Sequence, residues 1–422
     1  MTMRYLMAVW DGGGATPPNL GIARLLVERG HDVVVCGDPT LADAIAGTGA
    51  SHRTWPTAPQ RRSTALDDDL FKDWECRTQM GALNRVRERL ITGPAARFAN
   101  DVVDALDAEH FDAVLADGVL LGALVGAEAR GIPSAALVGS VYLVPSRTRP
   151  PVGLGLGPAR GRLGRARDRA AYGLVTLMSD AGLRPVNAAR ARHGLAPLRH
   201  LWQQWDHADR VLVLTGSAFD DPPPDAANVR YVGPVLEDIP VDEPLELPRG
   251  DAPLVVVGLS SSYMEQEDLL RRIARALATL PVRGVITTGP AVDPADVPSA
   301  PNVVVVRAAA HRALIPQAAL VITHAGHGTL IKALAAGVPV LCIPLGRDQG
   351  ENASRAARHG VGAVLSKQAD VAAIASAVFD VLLEPSYREA AAAMGERIRA
   401  EIASGALVDE LEALAAAGHP AA

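Results

Sequence analysis

Cysteine is scarce in this chain. Its 422 residues include three, Cys36, Cys76 and Cys342, widely spaced and with no C-x-x-C pair. Three scattered thiols cannot build a disulfide framework, so they read as reduced groups in a reducing compartment, and a cytoplasmic location is expected. Cys36 and Cys342 fall within apolar runs and are expected in the core. Lysine is equally scarce: Lys72, Lys332 and Lys367 stand against 38 arginines, a bias of the kind that nucleotide composition produces. Aromatic residues make up 4% of the chain, and the net charge is −6. That charge offers no basic face, and no nucleic-acid partner is expected. No apolar run reaches the roughly eighteen residues of a membrane span. The apolar run in MTMRYLMAVWDGGG is too short for a signal peptide.

The length suits two ordinary cores, and a hydrophobic fraction of 49% is normal for a globular chain. The same construction occurs twice. Arg4 to Trp10 reads as an apolar strand with Asp11-Gly12-Gly13-Gly14 as its exit loop. Pro17 to Glu28 carries Leu20, Ala23, Leu26 and Val27 at helical spacing, Gly30 stops it, and Asp32 to Cys36 is the next strand. Such a unit requires a parallel sheet. Further strands are expected at Ala113 to Ala116, Ser134 to Val138 and Val211 to Thr215. A second series is expected at Leu254 to Gly258, Val282 to Thr287, Val303 to Val306, Leu320 to Thr323 and Val338 to Ile343. The acidic, proline-rich sequence between them divides the chain into domains 1–220 and 251–422, joined by a connector at 221–250. An Ala-rich helical tail runs from about Tyr387 to Ala417.

The segment Val321 to Asn352, VITHAGHGTLIKALAAGVPVLCIPLGRDQGEN, is the most informative. An apolar strand ends in His324; Gly326, His327 and Gly328 form a turn, and a helix is expected to begin near Thr329. Backbone N–H groups and the positive end of a helix dipole make this arrangement an anion site. The next strand delivers Asp348 and Gln349 at its carboxyl end, where open α/β sheets bind ligands. A phosphate cradle followed by a carboxylate–amide pair describes a pocket for a sugar joined to a diphosphate.

These residues carry a resemblance. H-x-G-x-G-T, A-L-x-x-G-V-P and P-x-x-x-D-Q-x-x-N-A are met by His324, Gly326, Gly328 and Thr329, by Ala333, Leu334, Gly337, Val338 and Pro339, and by Pro344, Asp348, Gln349, Asn352 and Ala353. The pattern resembles the donor signature of family 1 glycosyltransferases of the GT-B fold, most of all the bacterial branch that glycosylates antibiotics. The resemblance implies an α/β architecture of two Rossmann-like, doubly wound parallel-sheet domains facing across a cleft. The terminal helix would cross back to the N-terminal domain. It implies an inverting enzyme that moves a hexose or deoxyhexose from a TDP- or UDP-sugar to a small lipophilic aglycone. His324, Gly326, Gly328 and Thr329 would touch the diphosphate, with His327 nearby, and Asp348 and Gln349 would touch the sugar hydroxyls. Ser260 and Ser261 follow the first strand of the second series and would bond a phosphate oxygen. Arg307 and Ala308 occupy the region that meets the base. No cofactor and no metal are expected, and a homodimer is left open.

The first loop of the resembled family lines the acceptor site and supplies a catalytic histidine. Aligned on Pro18, that position is Ala15, which cannot take a proton. Asp117, at a strand end in DAVLADGVLLGAL, and Asp11, just after the first strand, are the candidate bases. His52, His110 or a readily ionised acceptor are the alternatives. Gly12-Gly13-Gly14 lacks the G-x-G-x-x-G spacing and is not read as a nucleotide loop. Arg147 to Arg169 holds seven arginines without interleaved aromatics and reads as a solvated loop or a lid over the acceptor. Phe71, Trp55 and Trp74 either stack on an aglycone or build a local core. Two other functions share the donor signature: a nucleotide-sugar epimerase, and a non-catalytic auxiliary partner of a glycosyltransferase.

Overall fold

A computed structural model describes residues 2–144, 159, 161–220, 222, 223, 226–238, 241 and 245–418. Strands buried on both faces read as continuous apolar runs, and the run Val33-Val34-Val35 and its counterparts form such strands. In the first half they are β1 (Arg4–Ala8), β2 (Asp32–Gly37), β3 (Ser51–Thr54), β4 (Ala113–Asp117), β5 (Ser134–Val138), β6 (Arg210–Val213) and β7 (Val229–Tyr231). All pairings are parallel, in the order β3-β2-β1-β4-β5-β6-β7. In the second half they are β8 (Leu254–Gly258), β9 (Arg283–Thr287), β10 (Val303–Val306), β11 (Leu320–Thr323), β12 (Val340–Cys342) and β13 (Gly362–Val364). These too are parallel, in the order β10-β9-β8-β11-β12-β13. Strand order reverses between β1 and β4 and again between β8 and β11. Those two switch points open a crevice at the carboxyl ends of the strands. Asp11 and Asp117 leave the first switch point, and Ser260 and His324 leave the second.

Three strands depart from the sequence expectation. β3, β7 and β13 are three or four residues long and lie at sheet edges, where few apolar side chains mark them. β7 falls within the stretch 221–250 read as a connector, and it completes the first sheet. The arginine-rich run departs from the expected loop: Gly161–Asp180 is a twenty-residue helix. Arg147, Arg149 and Arg160 lie outside the described residues. The helical tail is two helices, Pro385–Ala403 and Ala406–Ala417, broken where Gly405 turns left-handed at φ 73°. The first packs on the helix His327–Ala335 with Gly395 at the contact, since a Cβ there would lie 2.7 Å from the Leu334 carbonyl oxygen. The second covers the first sheet. Leu407, Leu411 and Leu414 join its core, and the Tyr5 hydroxyl donates to the Leu411 carbonyl at 3.2 Å. Cys36 and Cys342 are buried, and burial pushes both thiols up to about 12.

The two halves are joined through Asp220, which is 0% exposed. Its carboxylate accepts from the Tyr142 backbone N–H at 2.8 Å, from the Tyr231 hydroxyl at 2.7 Å and from Arg355 Nε at 3.0 Å. Arg355 stands on the helix Gln349–Arg358 of the second half and also bonds Glu351 at 3.0 Å. Lys332 pairs with Asp238 nearby. Removing one partner of a buried pair strands the other charge. Arg355→Leu should therefore cost about 3–5 kcal/mol of stability. Its denaturant midpoint should fall accordingly, and a midpoint equal to that of the wild type contradicts the assigned role.

Candidate functional site

β11 delivers His324, after which Ala325 adopts a left-handed φ of 65°. Gly326 then caps the helix His327–Ala335, which begins two residues before the expected start at Thr329. His327 and Gly328 therefore belong to its first turn, where backbone N–H groups have no partner within the helix. Glycine is needed at 326 because a Cβ would run into the His324 imidazole. Asn352 Nδ2 pins the turn, donating to the Ala325 carbonyl at 3.0 Å and to Asp348 Oδ2 at 3.2 Å. His324 and His327 are 9% and 7% exposed. Nδ1 of His324 and both ring nitrogens of His327 have no hydrogen-bond partner among the described residues. Burial lowers both imidazoles to about 4, against a weaker opposite pull from Asp348. They are neutral near pH 7, and each can donate from one ring nitrogen and accept at the other. An unsatisfied buried polar group costs about 1–3 kcal/mol, which a bound anion at the helix start would offset.

The first loop of the N-terminal half faces this turn. Gly13–Ala15 forms a single 3-10 turn ahead of the helix Thr16–Glu28. A Cβ built on Gly328 would lie 3.6 Å from the Gly14 carbonyl, and one on Gly13 would lie 2.7 Å from Ser261 Oγ. The expected phosphate residues Ser261 and Gly328 thus meet the expected acceptor loop. Ser260 is buried, with its hydroxyl 3.1 Å from that of Ser262. Arg307 and Ala308 follow β10 at the surface, where Arg307 approaches Asp293 at 3.9 Å. The same wall holds His311, whose Nε2 lies 3.0 Å from Thr287 Oγ1 and which burial lowers to about 4.

Asp348 and Gln349 separate. Asp348 accepts from Ser140 Oγ of the first half at 2.7 Å. Gln349 turns back on its own loop: its Oε1 accepts from the Leu345 and Gly346 N–H groups at 2.7 and 3.0 Å, and its Nε2 lies 3.3 Å from Met264 Sδ. The amide oxygen expected at the sugar therefore holds the 345–349 loop in shape. Ser140 was missed because no local pattern places it beside Asp348.

The candidate bases also differ in setting. Asp117 ends β4 and is 6% exposed. Its carboxylate accepts from Asn19 Nδ2 at 2.9 Å and from the Val119 N–H at 3.1 Å. Burial raises its pKa, and the bonds from Val119 and Asn19 oppose the rise. Asp11 instead turns toward the exit of β2, accepting from Thr40 Oγ1 at 2.8 Å beside Arg61 at 3.6 Å. Asp38, which the sequence did not single out, takes the N–H groups of Asp11 and Arg61, and burial raises it to about 6. His52 lies on β3 with Nε2 at 3.2 Å from the Gly37 carbonyl, and His110 pairs with Asp112 at 2.9 Å. Trp55 and Phe71 are core: Trp55 packs edge-on to Phe98 and donates to the Val9 carbonyl, and Phe71 packs on Trp10. Trp74 crosses to the second half and meets Tyr263. No group of three metal-ligating side chains converges among the described residues. No described helix is long and apolar enough to cross a membrane.

Comparison with known proteins bears on this geometry. Residues 276–414 match the model of the erythromycin biosynthesis protein CIII-like C-terminal domain. The chain is 31% identical over 424 residues to the 4'-demethylrebeccamycin synthase of Lentzea aerocolonigenes, covering 98% of this chain and 100% of that protein. The chain belongs to the family 1 glycosyltransferases of the GT-B fold. It is a nucleotide-sugar-dependent glycosyltransferase of the antibiotic-biosynthesis branch. A rhamnosyltransferase of PGL/p-HBAD biosynthesis from Mycobacterium bovis is 32% identical over 50% of this chain and 47% of its own. In fold the chain is similar to the kitacinnamycin glycosyltransferase, with TM-score 0.75 at 22% identity over 98% and 99% of the two chains. It is likewise similar to the calicheamicin glycosyltransferase, with TM-score 0.74 at 22% identity over 99% and 100%.

Two outcomes follow from the buried imidazoles. His324→Ala should weaken binding of a nucleoside diphosphate by about tenfold, the worth of one hydrogen bond to a charged group. Unchanged affinity by calorimetry, with full activity, removes His324 from the site. His311, His324 and His327 lie near 4 in the folded protein, against about 6.5 when unfolded. The unfolded chain therefore binds more protons as pH falls, and stability present above about pH 6.5 is lost progressively down to about pH 4. The melting temperature should drop across that window, and less steeply in His327→Gln.

Proposed function

We propose that this chain transfers a hexose or deoxyhexose from a TDP- or UDP-sugar to a small lipophilic aglycone, with inversion at the anomeric carbon. The single observation that carries the reading is the start of the helix His327–Ala335. It carries unpartnered ring nitrogens of His324 and His327 and free N–H groups, and its Gly328 lies beside the loop Gly13–Ala15 of the opposite half. A diphosphate seated there would leave the sugar toward Asp348 and the acceptor toward the first half. The relatives support a glycosylated natural product, since one makes 4'-demethylrebeccamycin and another is a rhamnosyltransferase.

In the proposed reaction Asp117 takes the proton of the acceptor hydroxyl as its oxygen attacks the anomeric carbon. The bond to the diphosphate breaks, and His324 with the helix N-terminus stabilises the charge that leaves. Asn19 orients Asp117 through the hydrogen bond its amide donates. Removal of divalent metal by EDTA should leave turnover unchanged, because the positive end of the helix dipole and hydrogen bonds donated by the neutral imidazoles stabilise the departing diphosphate.

The test is turnover of nucleotide sugars with a panel of polycyclic and polyketide aglycones, read by mass spectrometry. A glycosylated aglycone supports the reading; a new nucleotide sugar formed from donor alone contradicts it. Asp117→Asn should lower turnover by roughly 10²–10⁴-fold with donor affinity little changed. Near-normal turnover in that variant contradicts the role of Asp117, and loss in Asp11→Asn instead moves it to the first loop. Asp348→Ala should impair binding of the sugar nucleotide more than of the bare diphosphate; equal losses contradict the sugar contact.

A further inference from the structure

A second set of contacts crosses between the halves, apart from the Asp220 junction. Arg347, which precedes Asp348, forms a two-pronged ion pair with Asp73 of the first half: Nε to Oδ2 at 2.9 Å and Nη2 to Oδ1 at 3.1 Å. Its Nη1 reaches Ser262 Oγ at 3.0 Å, at the end of the serine loop after β8. Trp74, beside Asp73, meets Tyr263, beside Ser262, edge-on with ring centroids 5.4 Å apart. Asp73 is 7% exposed, so the pair is largely withdrawn from water on its acidic side.

The backbone around these contacts is held in an uncommon form. Among the described residues, the non-glycine positions with left-handed φ are Lys72 at 46°, Glu265 at 55°, Ala325 at 65° and Arg347 at 54°. Ala325 belongs to the phosphate turn. The other three flank the two sides of this contact. Each such residue costs about 1–3 kcal/mol and persists only where surrounding contacts fix it. The first-half side is fixed locally: Asp69 Oδ1 takes the N–H groups of Phe71 and Lys72 at 2.8 and 2.9 Å, and Arg85 Nη1 donates to the Lys72 carbonyl at 2.6 Å. The second-half side is fixed by Gln349, whose amide oxygen holds the N–H groups of Leu345 and Gly346. Two preformed loops thus meet through one bidentate pair. Adjacent residues of the 345–349 loop grip the first half at two places, Arg347 at Asp73 and Asp348 at Ser140.

We propose that Asp73 is a positioning residue for the transfer: through Arg347 it latches the donor-sugar loop and the serine loop against the acceptor half. This rests on the assignment of Asp348 to the sugar. The phosphate turn and the Ser260–Ser262 loop are each held by contacts within the second half, so the latch acts on the sugar and on closure, and not on the diphosphate.

The test combines kinetics with scattering. In Asp73→Asn, kcat/KM for the sugar nucleotide should fall about 10- to 100-fold, the scale of a sub-ångström misplacement. Affinity for the bare nucleoside diphosphate should stay within about twofold, below the worth of one hydrogen bond. Asp73→Glu should recover part of the loss. Asp73→Arg should be worse, and Asp73→Arg/Arg347→Asp should regain activity over Asp73→Arg. Unchanged kcat/KM in Asp73→Asn, parallel loss of diphosphate affinity, or no recovery in the exchanged pair overturns the proposal. Small-angle scattering of ligand-free Asp73→Arg tests the latch without any donor. A larger radius of gyration than the wild type supports it, and an unchanged one overturns it. Should the wild type bind no sugar nucleotide, the assignment of the site fails while the scattering result still decides the latch.

Discussion

The buried Asp220–Arg355 pair is the constraint on which the arrangement of the two halves depends. Each sheet is complete within its own half, and the helix Ala406–Ala417 crosses back to cover the first. What the sheets cannot specify is how their carboxyl edges face one another. Asp220 does so by taking hydrogen bonds from Tyr142 after β5, from Tyr231 on β7 and from Arg355 on the second half. A fully buried carboxylate tolerates only a geometry in which its oxygens are satisfied. The helix that carries Arg355 begins at Gln349, next to Asp348, so the junction and the candidate sugar contact share one element.

The chemistry of the site follows from what the phosphate turn leaves unsatisfied. At the start of the helix His327–Ala335, Nδ1 of His324 and both ring nitrogens of His327 have no partner among the described residues, and the first-turn N–H groups have no helical acceptor. Burial keeps the imidazoles neutral near pH 7, so an arriving diphosphate meets donors and a helix dipole without a standing charge to be desolvated. On the facing wall, Ala15 removes the histidine of the resembled family. Asn19 and Asp117 form a hydrogen-bonded pair within the buried end of the first switch point. Burial raises the pKa of Asp117, while the Asp11 carboxylate is engaged by Thr40 and lies beside Arg61.

Much of this was legible in the sequence. The strand–turn–helix at Val321 to Thr329 announces itself through glycines, a histidine and an apolar run at fixed spacing, all local features. The parallel sheets follow from the alternation of apolar runs with amphipathic helices. β3, β7 and β13 were not legible, because an edge strand of three or four residues has too few buried positions to leave a pattern. Gln349 was placed at the sugar by resemblance, yet its amide closes the loop that precedes it. Asn19, Ser140, Asp38 and Asp73 were missed for a common reason. Each matters through a partner distant in sequence, such as Arg347 for Asp73 and Asp348 for Ser140, and such pairings exist only after the sheets are assembled. Trp55 and Phe71 were open between aglycone and core, and the fold places both in the core.

The central claim is that the diphosphate binds at the start of the helix His327–Ala335, on the second half, facing the first-half loop. A crystal structure with a bound nucleoside diphosphate tests it most directly. The account predicts phosphate oxygens within about 2.7–3.2 Å of the Gly328 and Thr329 N–H groups and of a His324 ring nitrogen. A nucleotide seated instead on Gly12-Gly13-Gly14 of the first half, with the turn at Gly326 unoccupied, would contradict it.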